Sequence, residues 1–497
     1  MTKKISVADL MANSGVAFGT SGARGLVSAM TDMVCFTYTC AFLQHLSSIG
    51  QFAPGAPVAI AGDLRPSSPR IMAGCATAVR HMGGKVAFCG FVPSPAVAAY
   101  GFTLGIPSLM VTGSHIPDDR NGIKFNRVNG EILKSDELAM RAQEVPLPAL
   151  FDDEGMLKEA HGLGPLIDVT TTYVARYVDF FGATALEGLK LGVYEHSAVG
   201  RDILAEILEE LGAKVVRLGR SETFIPVDTE AIRPQDQALG QQWAAELSLD
   251  AILSTDGDSD RPLLADETGA WMRGDVLGIL CARMLGISAL ATPVSCNTAV
   301  ELSDAFRKVR RTRIGSPYVI EAMNALVDSG WPTVGGYEAN GGFLLGSPVE
   351  TLQGRMAALP TRDAMLPMLA ALVDARRRGV TLSMLQAQLP SRYTFSERLE
   401  NYPTAQSNSL LTQLQQGEKT TALTRLTEMF RDLTGVATSI DMTDGLRVVF
   451  EDGDIIHLRP SGNAPELRCY TESATPERAA TINYKVLNLI SNKNLDA

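Results

Sequence analysis

A chain of 497 residues is more than one hydrophobic core organises, and at ~150 residues per domain about three or four domains are expected. Hydrophobic residues at 45%, charged residues at 20% and the lack of any low-complexity tract exclude a disordered or fibrous protein. A net charge of −11 and a pI near 5.2 give no global field for polyanions, so neither nucleic acid nor a membrane is an expected partner and any phosphate site has to be local.

In chain order, the opening MTKKISVADLMANSG reaches Asp9 before a secretory apolar segment can form. No apolar run of ~18 residues occurs later, and a cytoplasmic location is expected. FGTSGARG is a glycine-rich loop in which Arg24 follows a sharp bend; such loops also serve as plain connectors. PVAIAGD, Pro57 to Asp63, reads as a buried strand, SPRIMAGCATAVRHMGG as a helix stopped by glycine, and KVAFCGFVPSP as a second strand. The same order recurs in KLGVYEHSAVGRD, ILAEILEELGA and KVVRLGRSETFIP. It recurs more weakly as strand TPVSCNTAV, helix ELSDAFRKV and strand RTRIGSPYV.

Strand, helix, strand in close succession predicts parallel strands buried on both faces. The three starts, near Val58, Val193 and Val294, lie 135 and 101 residues apart, which is domain spacing rather than solenoid spacing. Each unit runs on into an apolar stretch and a polar, glycine-bearing loop: SLMVTGSH, AILSTDGDSD and PTVGGYEANGG. Loops at strand ends of open α/β sheets collect ligands, so three equivalent loops predict one shared site. After about Ser396 the pattern changes: GLRVVFEDGDIIHLRPS predicts a hairpin turning at Asp452-Gly453, ELRCYTES another strand, and Pro476 to Ile490 a closing helix. The expected fold is α/β, three related mixed-sheet domains at 1–163, 164–270 and 271–394, with a C-terminal α+β domain at 395–497.

Cysteine and histidine carry little signal. Cys35, Cys40, Cys75, Cys89, Cys281, Cys296 and Cys469 are scattered without a CxxC pair and read as small buried apolar residues. Of the six histidines only His115 has chemical company.

The loops carry more. In DGDSD, Asp256, Asp258 and Asp260 alternate, and an extended backbone would turn all three carboxylates to one side, where they repel unless a cation neutralises them. An EF-hand reading fails because Arg261 stands where that loop needs glycine; Mg²⁺, which tolerates few protein oxygens, suits the set, and an acidic surface turn is the plain alternative. RPSGNAPELR sets Arg459 and Arg468 about a Ser-Gly-Asn turn, either a phosphate cradle or an exposed hairpin. GGYEANGG presents Glu338 and Asn340 as sugar-hydroxyl partners or as a solvent turn. Ser114 reads as a local turn serine or a nucleophile, but TGSHI lacks the second glycine of a hydrolase elbow, which favours a serine that carries phosphate.

FGTSGARG, TGSHIPDDRNGIKF, DGDSDR, GGYEANGG and RPSGNAPELR, in this order over nearly the whole chain, resemble the motifs of the bacterial α-D-phosphohexomutases, the phosphomannomutase and phosphoglucomutase group. The resemblance implies four domains around a cleft, a phosphorylated Ser114, and Mg²⁺ held by Asp256, Asp258 and Asp260 together with that serine. It implies that His115, Lys124, Arg261 and Arg24 surround the reacting groups. Lys124 is the first choice for the sugar hydroxyl proton and His115 the second. Glu338 and Asn340 would contact sugar hydroxyls, and Arg459, Ser461, Asn463 and Arg468 the phosphate that is not reacting.

The implied partners are hexose 6- and 1-phosphates and a hexose 1,6-bisphosphate. Two departures stand out: Gly113 and Ile116 replace the Ala and Asn of the usual TASHNP, and Asn340 takes a position where serine is common. The sugar loop is unlike the GEQSGH of phosphoglucosamine mutases, and mannose phosphate is the expected substrate. Glucose phosphate is the nearest alternative; a catalytically idle phosphosugar binder or a phosphatase-like hydrolase is the other class.

Overall fold

The computed structural model describes residues 4–19, 22–159, 162–461 and 465–492. They form two compact units, one of Met1–Leu290 with Gly315–Gln386, the other of Ala291–Ile314 with Ala387–Ala497.

In the first unit, strand Pro57–Gly62 lies between Lys85–Phe91 and Ser108–Val111 and is parallel to both. Val58, Ala59, Ile60 and Ala61 are fully buried, as a strand covered on both faces must be. Arg120–Arg127 then pairs antiparallel with Ser108–Val111, and Ala23–Leu26 antiparallel with Arg120–Arg127, so the sheet is mixed. The helix Ser68–His81 ends where Gly83 turns left-handed at φ 78°. The second repeat copies this plan: Lys190–His196 is parallel to Lys214–Arg220 and to Ala251–Thr255, and Pro262–Ala265 closes the sheet antiparallel. Val334–Tyr337, Phe343–Leu345 and Leu359–Asp363 follow as successive antiparallel neighbours.

In the second unit, Tyr393–Leu399, Leu467–Ser473, Ile455–Pro460, Leu446–Phe450 and Ala437–Asp441 make one antiparallel sheet. Gly453 supplies the left-handed turn of the expected hairpin at φ 82°. Leu458, Cys469, Phe450 and Val486 of the closing helix Pro476–Asn492 share its core.

The third repeat differs from its expected form. The helix expected over ELSDAFRKV is only Ala299–Leu302; Asp304, left-handed at φ 52°, ends that turn, and Lys308–Thr312 is a strand. RTRIGSPYV is likewise not one strand, because Pro317 sits in the first turn of helix Ser316–Asp328, where its missing N–H costs nothing. All seven cysteines are buried, and none is in a disulfide among the described residues.

Candidate active site

The three loops of the first unit leave the ends of strands Ser108–Val111, Ala251–Thr255 and Val334–Tyr337, and buried chemistry gathers on them. Ser114 is fully buried with φ 58°, a backbone state that a non-glycine residue adopts only when its surroundings hold it. They do so here. Its N–H donates to Thr112 Oγ1 at 2.7 Å, and its carbonyl accepts from Arg65 Nη2 at 2.9 Å. Arg65 also donates to the Ile116 carbonyl and pairs with Asp63, which accepts from Ser68 Oγ at 2.6 Å and Thr112 Oγ1 at 2.7 Å. The Arg65 guanidinium lies 4.0 Å over the Phe224 ring, which adds a cation–π contact from the second repeat.

The serine hydroxyl donates to Asp256 Oδ2 at 2.7 Å, and His115 Nδ1 is 3.4 Å from the serine Oγ. Gly257 permits this approach, since a Cβ there would lie 2.8 Å from the Ser114 carbonyl oxygen. The DGDSD segment is a tight turn, not the extended run expected, with Ser259 left-handed at φ 57°. The turn still converges the carboxylates: ligand oxygens of Asp256, Asp258 and Asp260 all lie within 4.8 Å of one another. Asp256 Oδ1 accepts from the backbone N–H groups of Asp260 and Arg261, each at 3.2 Å, which folds the turn onto its first residue.

Cations balance this charge. Lys124, buried on strand Arg120–Arg127, donates its ammonium to both Asp258 Oδ2 and Asp260 Oδ2. Arg261 Nε stands 3.9 Å from Asp256 and 3.8 Å from Asp260. Arg24, on strand Ala23–Leu26, has a buried Nε without a hydrogen-bond partner. Burial, helped by the charge of Arg261, lowers its guanidinium to about 10. Burial and then Arg261 and Arg24 push the His115 imidazole down to about 2, so His115 is neutral near pH 7. Burial and the neighbouring carboxylates Asp258 and Asp260 raise Asp256 well above the ordinary range. Asp260 is also buried, but Arg362, Lys124 and Arg261 outweigh burial and hold it below that range.

Asp258 Oδ1 and Asp260 Oδ1 are buried with no hydrogen-bond partner, which is the condition expected of atoms that ligate a cation. Three clustered carboxylates with two unused oxygens fit a divalent metal ion.

Glu338 and Asn340, both buried, sit on the loop between Val334–Tyr337 and Phe343–Leu345. Asn340 serves its own turn through Oδ1, which accepts from the Gly342 N–H at 3.0 Å, and its carbonyl accepts from Thr229 Oγ1 at 2.9 Å. Glu338 Oε2 accepts from Arg362 Nη1 at 3.2 Å, and Arg362 Nε reaches Asp260 Oδ2 at 3.0 Å.

In the second unit, Arg459 and Arg468 are direct cross-strand partners. Arg459 pairs with Asp444 at 2.8 Å, Arg468 with Glu466 at 3.6 Å, and the buried Ser461 donates its N–H to the Glu466 carbonyl at 2.9 Å. Asn463 lies outside the described residues. Arg398 extends the row, since it is the cross-strand partner of Arg468 on the other side. Three like charges in one row repel, and an anion among them offsets the repulsion.

The motifs did not expose Asp63, Arg65, Arg362 or Arg398. DLRPSSP follows the first strand at a position where a functional loop is expected, and that placement was the available signal for Asp63 and Arg65. Arg362 and Arg398 stand in no recognisable motif.

Four domain profiles of the phosphoglucomutase/phosphomannomutase family match the chain: α/β/α domain I over residues 15–143, domain II over 171–269, domain III over 273–393 and the C-terminal domain over 411–489. The chain is 43% identical to a phosphomannomutase of Salmonella muenchen over 98% of each protein. It is 46% identical to a phosphomannomutase of Sinorhizobium fredii over 94% of this chain and 96% of the relative. A crystal structure of a putative phosphomannomutase from Thermus thermophilus superposes with a TM-score of 0.75 at 19% identity, covering 96% of this chain and 99% of that one.

Proposed function

The chain belongs to the phosphoglucomutase/phosphomannomutase family, and from that membership we propose that it is a phosphomannomutase, an isomerase that interconverts mannose 6-phosphate and mannose 1-phosphate. One observation carries the reading: Ser114 Oγ, on a fully buried residue with left-handed backbone, lies 2.7 Å from Asp256 within a cluster of buried carboxylates and cations.

Ser114 is the phosphoryl carrier. The P–Oγ bond of phosphoserine 114 breaks as a bond forms from phosphorus to the free sugar hydroxyl, giving mannose 1,6-bisphosphate; the hydroxyl proton passes to Lys124 once that side chain has given up a proton of its own. In the second half the other phosphoryl group moves to Ser114 Oγ and the released sugar oxygen takes the proton back. Arg24 and Arg261 are fixed donors for the oxygens of the group in transit, held in place before the reaction begins. Asp256, Asp258 and Asp260, with the phosphorylated Ser114, would hold Mg²⁺, which would supply charge withdrawal from the group in transit. His115, which is neutral and near the serine, is the second choice for the proton.

Glu338 and Asn340 meet sugar hydroxyls, while Arg459, Ser461, Asn463 and Arg468 hold the idle phosphate. Seven cysteines with no disulfide among the described residues fit a reducing compartment, and among those residues no helix is long and apolar enough to cross a membrane; the cytoplasm is the proposed location.

The test is Ser114→Ala assayed with mannose, glucose and glucosamine phosphates in both directions. Wild-type protein is expected to form isomer without net phosphate release, with mannose phosphate preferred, and to show a phosphorylated fraction by intact mass. Ser114→Ala is expected to lose sustained turnover while it keeps its fold, because the relay has no other carrier. Wild-type turnover in that variant, or phosphate release in place of isomer, would end the proposal.

A further inference from the structure

Arg362 is 2% exposed, lies on strand Leu359–Asp363, and stands outside every motif of the sequence. Its Nε is 3.0 Å from Asp260 Oδ2 and its Nη1 is 3.2 Å from Glu338 Oε2. We infer that Arg362 is a positioning residue: by pairing at once with the aspartate loop and the sugar loop, it fixes the hexose-reading carboxylate at one distance from the phosphoryl-transfer centre. This rests on the mutase reading above and adds to it the part that ties sugar choice to the transfer site.

A guanidinium is a rigid planar fork, so two carboxylates on two of its nitrogens are held at a set separation, whereas an ammonium is a point donor on a flexible stem and draws its partners to one place. The passage for the side chain is built into the loop. A Cβ at Gly342 would stand 2.7 Å from Arg362 Cγ, so the arginine runs beneath the sugar loop only because that position is glycine. The register Phe343↔Asp363 places Arg362 directly beneath the end of the loop that carries Glu338. Without Arg362, the buried Glu338 would lose the one ion-pair partner it has within 4 Å among the described residues.

A merely structural ion pair would affect stability alone, so the experiment reads binding and selectivity. Arg362→Gln, Arg362→Lys, Glu338→Gln and the double variant Arg362→Gln/Glu338→Gln are compared with wild type by calorimetric titration of mannose 1-phosphate and glucose 1-phosphate. Mn²⁺ binding is followed in the same proteins by electron paramagnetic resonance. Arg362→Gln is expected to weaken mannose 1-phosphate binding about tenfold or more and to bring the mannose-to-glucose ratio toward one, as Glu338→Gln does. The double variant is expected to be no weaker than Glu338→Gln, because both changes remove one arrangement. Mn²⁺ affinity is expected to stay or to tighten, since a competing cation beside Asp260 has gone.

Arg362→Lys keeps the charge and reaches one carboxylate, so it should behave as Arg362→Gln does; if Arg362→Gln fails to fold, the lysine variant carries the comparison. Additive losses in the double variant, loss of Mn²⁺ binding, or wild-type selectivity in Arg362→Lys would each overturn the inference. Wild-type protein that binds hexose phosphates but forms no isomer would sink the mutase reading and leave this comparison readable.

Discussion

Gly113 stands where the family motif commonly has alanine, and the structure gives the reason this chain departs from it. A Cβ built at Gly113 falls 2.7 Å from Arg65 Cζ and 2.8 Å from Arg65 Nε. That guanidinium has no room to retreat: it is 1% exposed, pairs with Asp63, carries the Ser114 and Ile116 carbonyls and lies on Phe224. Ordinary contact needs a separation near 3.4 Å, so Gly113→Ala forces a shift of ~0.7 Å between the serine loop and Arg65. Overpacking of a filled site costs about 1–3 kcal/mol, and bending a charge-assisted hydrogen bond adds to this, so a loss of about 2–3 kcal/mol is expected.

Catalysis should suffer as well as stability. Ser114 is the reacting group, and misplacement by ~1 Å costs about a hundredfold, so kcat should fall ~10- to 100-fold. Urea unfolding followed by tryptophan fluorescence reads the first unit specifically, because Trp243, Trp271 and Trp331 all lie within it. The decisive comparison is the same substitution on an Arg65→Ala background, where the obstructing group is gone and alanine should cost less than about 0.5 kcal/mol more. Unchanged unfolding and turnover in Gly113→Ala, or an equal loss with and without Arg65, would refute the steric argument.

Removing divalent metal with EDTA should stop phosphoryl transfer. Asp258→Asn should weaken Mn²⁺ binding with little change in fold, because the amide oxygen can still accept from Lys124 and Asp258 Oδ1 has no protein hydrogen-bond partner to lose; full activity with metal demonstrably removed would exclude the metal role. Arg468→Ala should lower kcat/KM for mannose and glucose phosphates by similar factors, roughly 10- to 150-fold for one charge-assisted contact. Asn340→Ser should instead change the ratio between the two sugars, which differ only at C2; Arg468 altering preference while Asn340 scaled both equally would reverse the two assignments.

The strands and their order were legible in the sequence wherever burial is simple. PVAIAGD and KLGVYEH hold the apolar runs VAIAG and LGVY because parallel strands are covered on both faces, and the glycine stops after Ser68–His81 and Arg201–Glu210 mark helix ends that any such helix needs. The loops with Ser114, with the three aspartates and with Glu338 were legible as well, because each packs several chemical groups into a few consecutive residues. Helix Asp32–Ser48 left no such mark. It is buried almost all round, so it lacks the alternating faces that periodicity detects. The third repeat was misread where a left-handed Asp304 and the start of a helix at Pro317 broke a pattern carried over from its two better-formed copies.

Contacts between distant segments were decided by tertiary structure alone. Nothing in DLRPSSP says that Arg65 will grip the serine carbonyl 49 positions away, and nothing in PTRDAML says that Arg362 will reach Asp260 across 102 positions and Glu338 across 24. A lone arginine is written the same way whether it lies on the surface or inside. Its role depends on which carboxylates the sheets bring within about 3 Å, and that distance is set by strand pairing and loop packing summed over the whole unit.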